Sequence, residues 1–366
     1  MEAGRKIRVL VVDDSAFMRK VLAEIIASDS QLDICGEAKN GKEAVAQAEA
    51  LKPDVISMDI NMPVMDGLQA TELIMSANPR PILIVSSESR EGADVTLKAL
   101  QLGAIDFVSK PSSGIDLDMR SVADELLRKL KMSAKVRVVR TATRSRLPEG
   151  IQATKQPPLR SEIARAQSTK FPVVVIAAST GGPATLMKLA PLFPADFPAA
   201  VIIVQHMPGS FTTQFSKQLG EAAQIRVKEA EAGEIVVPGQ MYVCPGSHHL
   251  KITSNGRITL DDGPRVNGYR PCADLAMDSA AAFYGALTVG VVLTGMGNDG
   301  AKGSQTIKAA GGMVLAQDEA TAVIFGMPQE AIRTGAVDQV LPVQDIYAAI
   351  EKRVVNAFGT ARVGAL

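Results

Sequence analysis

The chain has 366 residues, 46% of them hydrophobic, and its 39 basic and 39 acidic side chains cancel to a formal net charge of zero. That length accommodates about two domains with separate cores, and the neutral balance excludes an electrostatic footprint for nucleic acid or a membrane surface. No apolar run of about 18 residues occurs, and MEAGRKIRVLVVDD lacks the apolar stretch of a secretory leader, so a cytoplasmic protein without membrane insertion is expected.

From Ile7 to about Met132, the runs IRVLVV, LDICGEA, DVISMD, PILIVSS and IDFVSK read as five strands separated by segments of helical period. The first helix is the clearest, with Ser15 as N-cap and Phe17, Met18, Val21, Leu22, Ile25 and Ile26 spaced by three and four. Five such units in succession imply a parallel, doubly wound sheet. From Ser133 to Lys170 the pattern stops, and a basic, Pro-containing stretch reads as a partly disordered linker. A basic linker can bind nucleic acid or anionic lipid, but a solvated tether is the commoner use of such a run.

A second alternating region, residues 171–366, contains PVVVIAAS, AAVIIVQH, IRVKEA, LTVGVVLTG, GMVLAQD and VDQVLP as mostly buried strands. LKITSNGRITLDD departs from the pattern, because Asn255-Gly256 between two alternating runs signals a tight hairpin. An amphipathic helix from about Asp345 to Phe358 closes a doubly wound, mostly parallel α/β domain. Cys35, Cys244 and Cys272 have neither paired nor metal-like spacing, so they are expected reduced and buried.

In the first region Asp13 and Asp14 follow one strand, Asp59 ends another, Ser86 ends the fourth, and Lys110 follows the fifth. Ligands of open parallel sheets bind outside the carboxyl ends of the strands. Three carboxylates converging there need a hard cation between them, and the set suits phosphoryl transfer to Asp59, with Lys110 and Ser86 contacting the phosphate. Any one of these aspartates could simply cap a helix, but five positions at four strand ends argue for a site. With DDS, MDINMPVMDG, VSS and FVSKP in order, residues 1–132 resemble a flavodoxin-like response-regulator receiver domain with a five-stranded parallel sheet. The resemblance implies Asp59 as phospho-acceptor, Mg²⁺ on Asp13, Asp14 and the backbone carbonyl of Asn61, and a histidine kinase as donor.

In the second region Ser179 and His206 each end a strand, and Asp299 follows another through a glycine-rich loop. A serine hydroxyl needs an imidazole to take its proton, and the imidazole needs a carboxylate to orient it; these residues offer those parts. The loop TGMGNDG and Gly181-Gly182 supply backbone N–H groups for an oxyanion, so hydrolysis of an ester or amide is expected. Ser179 can equally cap the next helix. Cradling a phosphate is less apt, since neither G-x-G-x-x-G nor a P-loop is present, and the G-x-S-x-G elbow is absent too. His248 and His249 have no carboxylate or cysteine at ligand spacing, which argues against a metal.

AASTGGP, QHMP, GEIVVPGQMYVCPGSHHL, DDGPRVNGYRPCADLAMDS, VLTGMGNDGAKG and AQDEATAVIFGMPQEAI then follow in an order that resembles the chemotaxis protein-glutamate methylesterase (CheB) effector domain. The resemblance implies demethylation of glutamate methyl esters, and deamidation of selected glutamines, on methyl-accepting chemoreceptors. It implies Ser179 as nucleophile, His206 as base, Asp299 as orienting carboxylate and the Met296 N–H as oxyanion donor, with no cofactor for hydrolysis. Some members carry His where this chain has Tyr269, a change expected to touch the substrate side. The receiver is expected to inhibit the effector until Asp59 is phosphorylated. The alternatives are a non-catalytic output domain that binds a protein or nucleotide, and a DNA-binding output, for which no basic recognition helix is found.

Overall fold

The computed structural model describes residues 5–86, 90–110, 116–136, 138 and 170–363. The chain forms two compact units that divide between Glu149 and Gly150. The linker expected at 133–170 lies outside the described residues except for 133–136, 138 and 170.

The first unit alternates β1 (Ile7–Val12), α1 (Ala16–Ala27), β2 (Leu32–Ala38), α2 (Gly41–Leu51), β3 (Val55–Asp59), α3 (Gly67–Ala77), β4 (Ile82–Ser86), α4 (Arg90–Gln101), β5 (Asp106–Ser109) and α5 (Asp116–Ser133). Its five strands run parallel in the order β2-β1-β3-β4-β5. Continuous β-branched runs suit this sheet because helices cover both faces, and every residue of β3 and β4 is buried. Ser15 caps α1, its Oγ accepting from the Met18 N–H at 3.3 Å. Leu22 and Ile26 are buried, whereas Phe17 is 70% exposed. Phe17 sits in the first turn, at the rim of the carboxyl edge of the sheet.

The second unit runs β6 (Val173–Ala178), α6 (Gly182–Leu189), β7 (Ala200–Gln205), α7 (Gly209–Ala222), β8 (Arg226–Glu229), β9 (Gln240–Val243), β10 (His249–Ile252), β11 (Ile258–Asp261), α8 (Ala273–Tyr284), β12 (Thr288–Val292), α9 (Ala301–Ala309), β13 (Met313–Gln317), α10 (Gly326–Arg333), β14 (Gln339–Leu341) and α11 (Val343–Val363). Seven strands form one sheet in the order β14-β13-β12-β6-β7-β9-β8, every adjacent pair parallel. Strand β9 was not anticipated: Gln-Met-Tyr-Val is too short to show a period, and it lies between Pro238-Gly239 and Pro245. Terminal helix α11 begins before Asp345 and continues past Phe358, so the amphipathic pattern had located it but not its ends. The expected hairpin is present as the antiparallel pair β10 and β11, outside the main sheet.

Its turn at Asn255-Gly256 is tight, as expected: the Thr253 N–H donates to the Arg257 carbonyl at 2.8 Å and the Gly256 N–H to the Thr253 carbonyl at 3.0 Å. The loop is three residues, Ser254 to Gly256, and of the Asn-Gly pair only Gly256 has positive φ, at 74°, the left-handed residue that ends this kind of hairpin loop. A two-residue turn occurs at the second Asn-Gly pair, Asn267-Gly268, where φ is 51° and 87°. There Val266 and Tyr269 exchange both backbone hydrogen bonds, at 3.0 and 2.9 Å, the arrangement of a type I′ hairpin turn.

Strand β6 lies between β12 and β7. The chain leaves β6 toward β7 and later returns to its other side with β12, which opens a crevice at the carboxyl ends of these three strands. Among the described residues no helix is long and apolar enough to cross a membrane.

Candidate active site

In the first unit the five expected positions fall at carboxyl ends: Asp13 and Asp14 after β1, Asp59 at the end of β3, Ser86 at the end of β4 and Lys110 after β5. Lys110 Nζ is 2.9 Å from both Asp13 Oδ2 and Asp59 Oδ2. Burial pushes the Asp59 carboxyl above its ordinary range and the neighbouring Asp13 adds to this, against the pull of Lys110. Burial pulls Lys110 down, but the two aspartates hold it above its ordinary value.

Asp13, Asp14 and Asp59 present oxygens within 4.8 Å of one another. Three carboxylates facing one ammonium leave excess negative charge among hard oxygen donors, a set that fits Mg²⁺. Asn61 is exposed on the loop after β3. Sequence reasoning missed Arg19, whose Nη1 donates to the carbonyls of Asp13 and Asp14 at 2.8 and 3.2 Å and so fixes the acidic turn.

In the second unit Ser179 follows β6, His206 follows β7, and Asp299 lies in the loop after β12. The Ser179 N–H donates to the Thr294 carbonyl at 3.0 Å, tying the ends of β6 and β12 together. Gln205, 2% exposed, donates from Nε2 to the carbonyls of both Ser179 and His206 at 3.0 Å. This buried amide links the β6 and β7 ends and had no sequence signature.

His206 Nε2 lies 2.7 Å from Asp299 Oδ2. Asp299 is 2% exposed and accepts from the N–H groups of Ala273 at 2.6 Å and Asp274 at 2.9 Å and from the Cys272 thiol at 3.2 Å. Burial pushes its carboxyl up, but the bond to His206, that residue's charge and the two α8 amides hold it below its ordinary value. The ionised carboxylate therefore fixes the proton on Nε2 and leaves Nδ1 as the acceptor nitrogen. The hydrogen bonds of Ser179 among the described residues all run through its backbone, so its hydroxyl is not joined to His206 in this state.

Cys272, Asp274 and Asp299 also bring ligand-type atoms within 4.8 Å of one another. Here, though, Asp274 Oδ1 accepts from the Gly300 and Gly303 N–H groups at 2.9 and 2.8 Å, and burial pushes the Cys272 thiol up to about 12. The cluster is a hydrogen-bonded support for Asp299. Cys244 is likewise buried, whereas Cys35 is only half-buried, and all three cysteines are free. His248 Nδ1 pairs with Ser247 Oγ at 2.8 Å, and His249 Nε2 with the Pro264 carbonyl at 3.0 Å.

The loop from Thr294 to Gly300 packs closely around the nucleophile. A Cβ on Gly295 would fall 2.8 Å from Ser179 Cβ, and among the described residues none accepts from the Met296 N–H. Thr294 Oγ1 accepts from the Ile324 N–H at 2.9 Å and donates to the Thr180 carbonyl at 2.9 Å, bracing the loop from beneath. At the head of α6, Gly181 has φ 77° and Gly182 admits no Cβ beside Gln205. Ser179 therefore stands before a helix without capping it, since Gly181 occupies the N-cap.

The fold and the two clusters define a two-domain response regulator, in which a receiver-type unit precedes a parallel α/β effector with serine, histidine and aspartate at adjoining strand ends. Residues 9–123 match the response regulator receiver domain and residues 174–350 match CheB methylesterase. The protein-glutamate methylesterase/protein-glutamine glutaminase of Pyrococcus horikoshii is 48% identical over 366 residues, 99% of this chain and 97% of that one. The protein of the same name from Thermotoga maritima is 45% identical over 349 residues, 93% of this chain and 97% of that one. The crystal structure of the Thermotoga maritima CheB methylesterase catalytic domain is 42% identical, covering 50% of this chain and 99% of that chain with a TM-score of 0.49. The chain belongs to the protein-glutamate methylesterase/protein-glutamine glutaminase (CheB) family. That membership gives no support to a non-catalytic output domain.

Proposed function

We propose that this chain is a cytoplasmic, phosphorylation-regulated esterase that removes methyl groups from glutamate γ-methyl esters, and deamidates selected glutamines, on chemoreceptors. The observation that carries the reading is the placement of Ser179, His206 and Asp299 at three adjoining strand ends, with the base bonded to a buried carboxylate at 2.7 Å. His206 Nδ1 takes the Ser179 proton as Oγ attacks the ester carbonyl carbon. Asp299 stabilises the imidazolium through Nε2, and the Met296 N–H receives the oxyanion. Collapse breaks the carbon–methoxy bond, His206 returns the proton, and methanol leaves. Water, giving its proton to His206, then cleaves the acyl-serine to glutamate and free Ser179. A glutamine substrate releases ammonia by the same steps. Every proton moves among Ser179, His206, the leaving group and water, so hydrolysis calls for no cofactor.

In the same reading residues 1–132 are a receiver, 133–170 a tether and 171–366 the catalytic domain. Asp59 accepts the phosphoryl group of a histidine kinase, and Ser86 and Lys110 contact the new phosphate. Asp13, Asp14 and the Asn61 carbonyl would hold Mg²⁺, which when bound neutralises phosphate oxygens. The unphosphorylated receiver restrains the esterase.

The test is methanol release from methylated receptor membranes by the wild type and by Ser179→Ala. The variant is expected to lose at least about 1,000-fold in rate, and equal rates would overturn the reading.

A further inference from the structure

The Asn267-Gly268 turn delivers a side chain that the steps above do not use. The Tyr269 ring lies on the His206 imidazole with centroids 4.6 Å apart and 15° between the planes. At its other end the hydroxyl comes so close to Gly297 that a Cβ there would sit 1.8 Å from it. One residue thus covers the face of the base and abuts the loop between Met296 and Asp299.

The presenting segment is stiff. Both turn residues are left-handed, and the Arg270 guanidinium donates from Nη1 to the carbonyls of Asp262 and Gly263 at 2.8 and 3.0 Å. Two residues beyond Pro271, the Ala273 N–H reaches Asp299 at 2.6 Å. The stretch 266–273 therefore holds the imidazole by its face and its orienting carboxylate by an oxygen.

A single hydrogen bond from Nε2 leaves the imidazole able to swing about that bond, which would carry Nδ1 away from the serine. A parallel ring removes this freedom, and its electron-rich face also favours the imidazolium formed during attack. We propose that Tyr269 is a positioning residue for His206, clamping the imidazole in the plane that aims Nδ1 at Ser179. This goes against the sequence expectation that Tyr269 serves the substrate side, and it rests on the reading of Ser179, His206 and Asp299 as the catalytic set.

The experiment uses the full chain on methylated receptor membranes, separating kcat from KM, together with the rate at which a phosphonofluoridate labels Ser179. Tyr269→Leu, which has no flat face, is expected to lose about 10-fold or more in kcat while KM stays within about 2-fold. Ser179 labelling should slow by the same factor, and Tyr269→Phe, which restores the ring alone, should recover most of the loss. If Tyr269→Leu does not fold, Tyr269→Met against Tyr269→His makes the same comparison of a non-planar with a planar side chain. Unchanged kcat in the folded non-planar variant, or a loss confined to KM, would overturn the clamp. Full turnover by Ser179→Ala would sink the catalytic set itself, whatever Tyr269 does.

Discussion

His206 meets Asp299 through Nε2, at 2.7 Å, so Nδ1 is the nitrogen left to receive the serine proton. Serine proteases use the two nitrogens the other way round. The reversal follows from position: Asp299 is held over the start of α8 by the Ala273 and Asp274 amides, and the imidazole reaches it with its far edge.

Asp299→Asn tests this arrangement. An amide cannot accept from His206 and from the amides of Ala273 and Asp274 at once without turning an N–H against another donor. The base then loses its fixed tautomer, and kcat for methanol release is expected to fall about 10³- to 10⁴-fold with the chain still folded. A loss below about 10-fold would mean that another group orients the imidazole.

The contact between Tyr269 and Gly297 makes a reciprocal prediction. Gly297 has φ 93°, and an added methyl would strike the tyrosine hydroxyl, so Gly297→Ala should lower kcat by about 10-fold or more and cost about 1 kcal/mol or more of stability. Combining it with Tyr269→Phe removes the struck oxygen. The double variant is expected to regain part of the activity lost by Gly297→Ala, measured as a double-mutant cycle.

Asp274 gives a pH-dependent outcome. Burial, with the nearby charge of Asp299, pushes its carboxyl from 3.8 to about 6 despite bonds from the Gly303 and Gly300 amides. The folded chain therefore holds this proton more tightly than the unfolded chain, and stability from this group falls as pH rises from about 4 to about 6. Asp274→Asn keeps an oxygen for both amides and removes the charge. Its thermal midpoint should match the wild type near pH 4 and exceed it above pH 6; a constant difference across that range would refute the assignment.

Phosphorylation is separable from hydrolysis. Asp59→Asn is expected to abolish labelling by a small acyl-phosphate donor in Mg²⁺, and a chelator should abolish it in the wild type. Ser179→Ala should be labelled normally. Retained labelling of Asp59→Asn would place the acceptor elsewhere.

Removal of residues 1 to about 140 should raise basal methanol release if the receiver restrains the esterase. No rise in a folded fragment would show that phosphorylation acts by some other route.

All five strands of the first sheet and all of the second but β9 were legible in the sequence because buried parallel strands leave unbroken β-branched runs, and a polar residue ending such a run marks the carboxyl edge. Asp13, Asp59, Ser179 and His206 were all found this way. The support of Asp299 was not legible, because its donors are main-chain amides at Ala273 and Asp274, which carry no residue code. The two Asn-Gly pairs show a second limit. Asn255-Gly256 lay between alternating runs and forms the tight turn they announced, but the pattern did not show that the loop has three residues, with Asn255 at negative φ. Asn267-Gly268 had no such runs around it, yet both residues take positive φ and Val266 and Tyr269 exchange backbone hydrogen bonds across a two-residue turn.

The pairing of β6 with β12 has a kinetic implication. Val173 of β6 meets Thr288 of β12, the longest excursion of chain between neighbours in that sheet, and contacts so distant in sequence form slowly. The serine and histidine strands can come together early, while the carboxylate arrives only after the chain has run out through β9 and back. A nascent or refolding chain should therefore acquire most of its secondary structure before it acquires a competent nucleophile, which would delay hydrolysis until the effector has closed on itself.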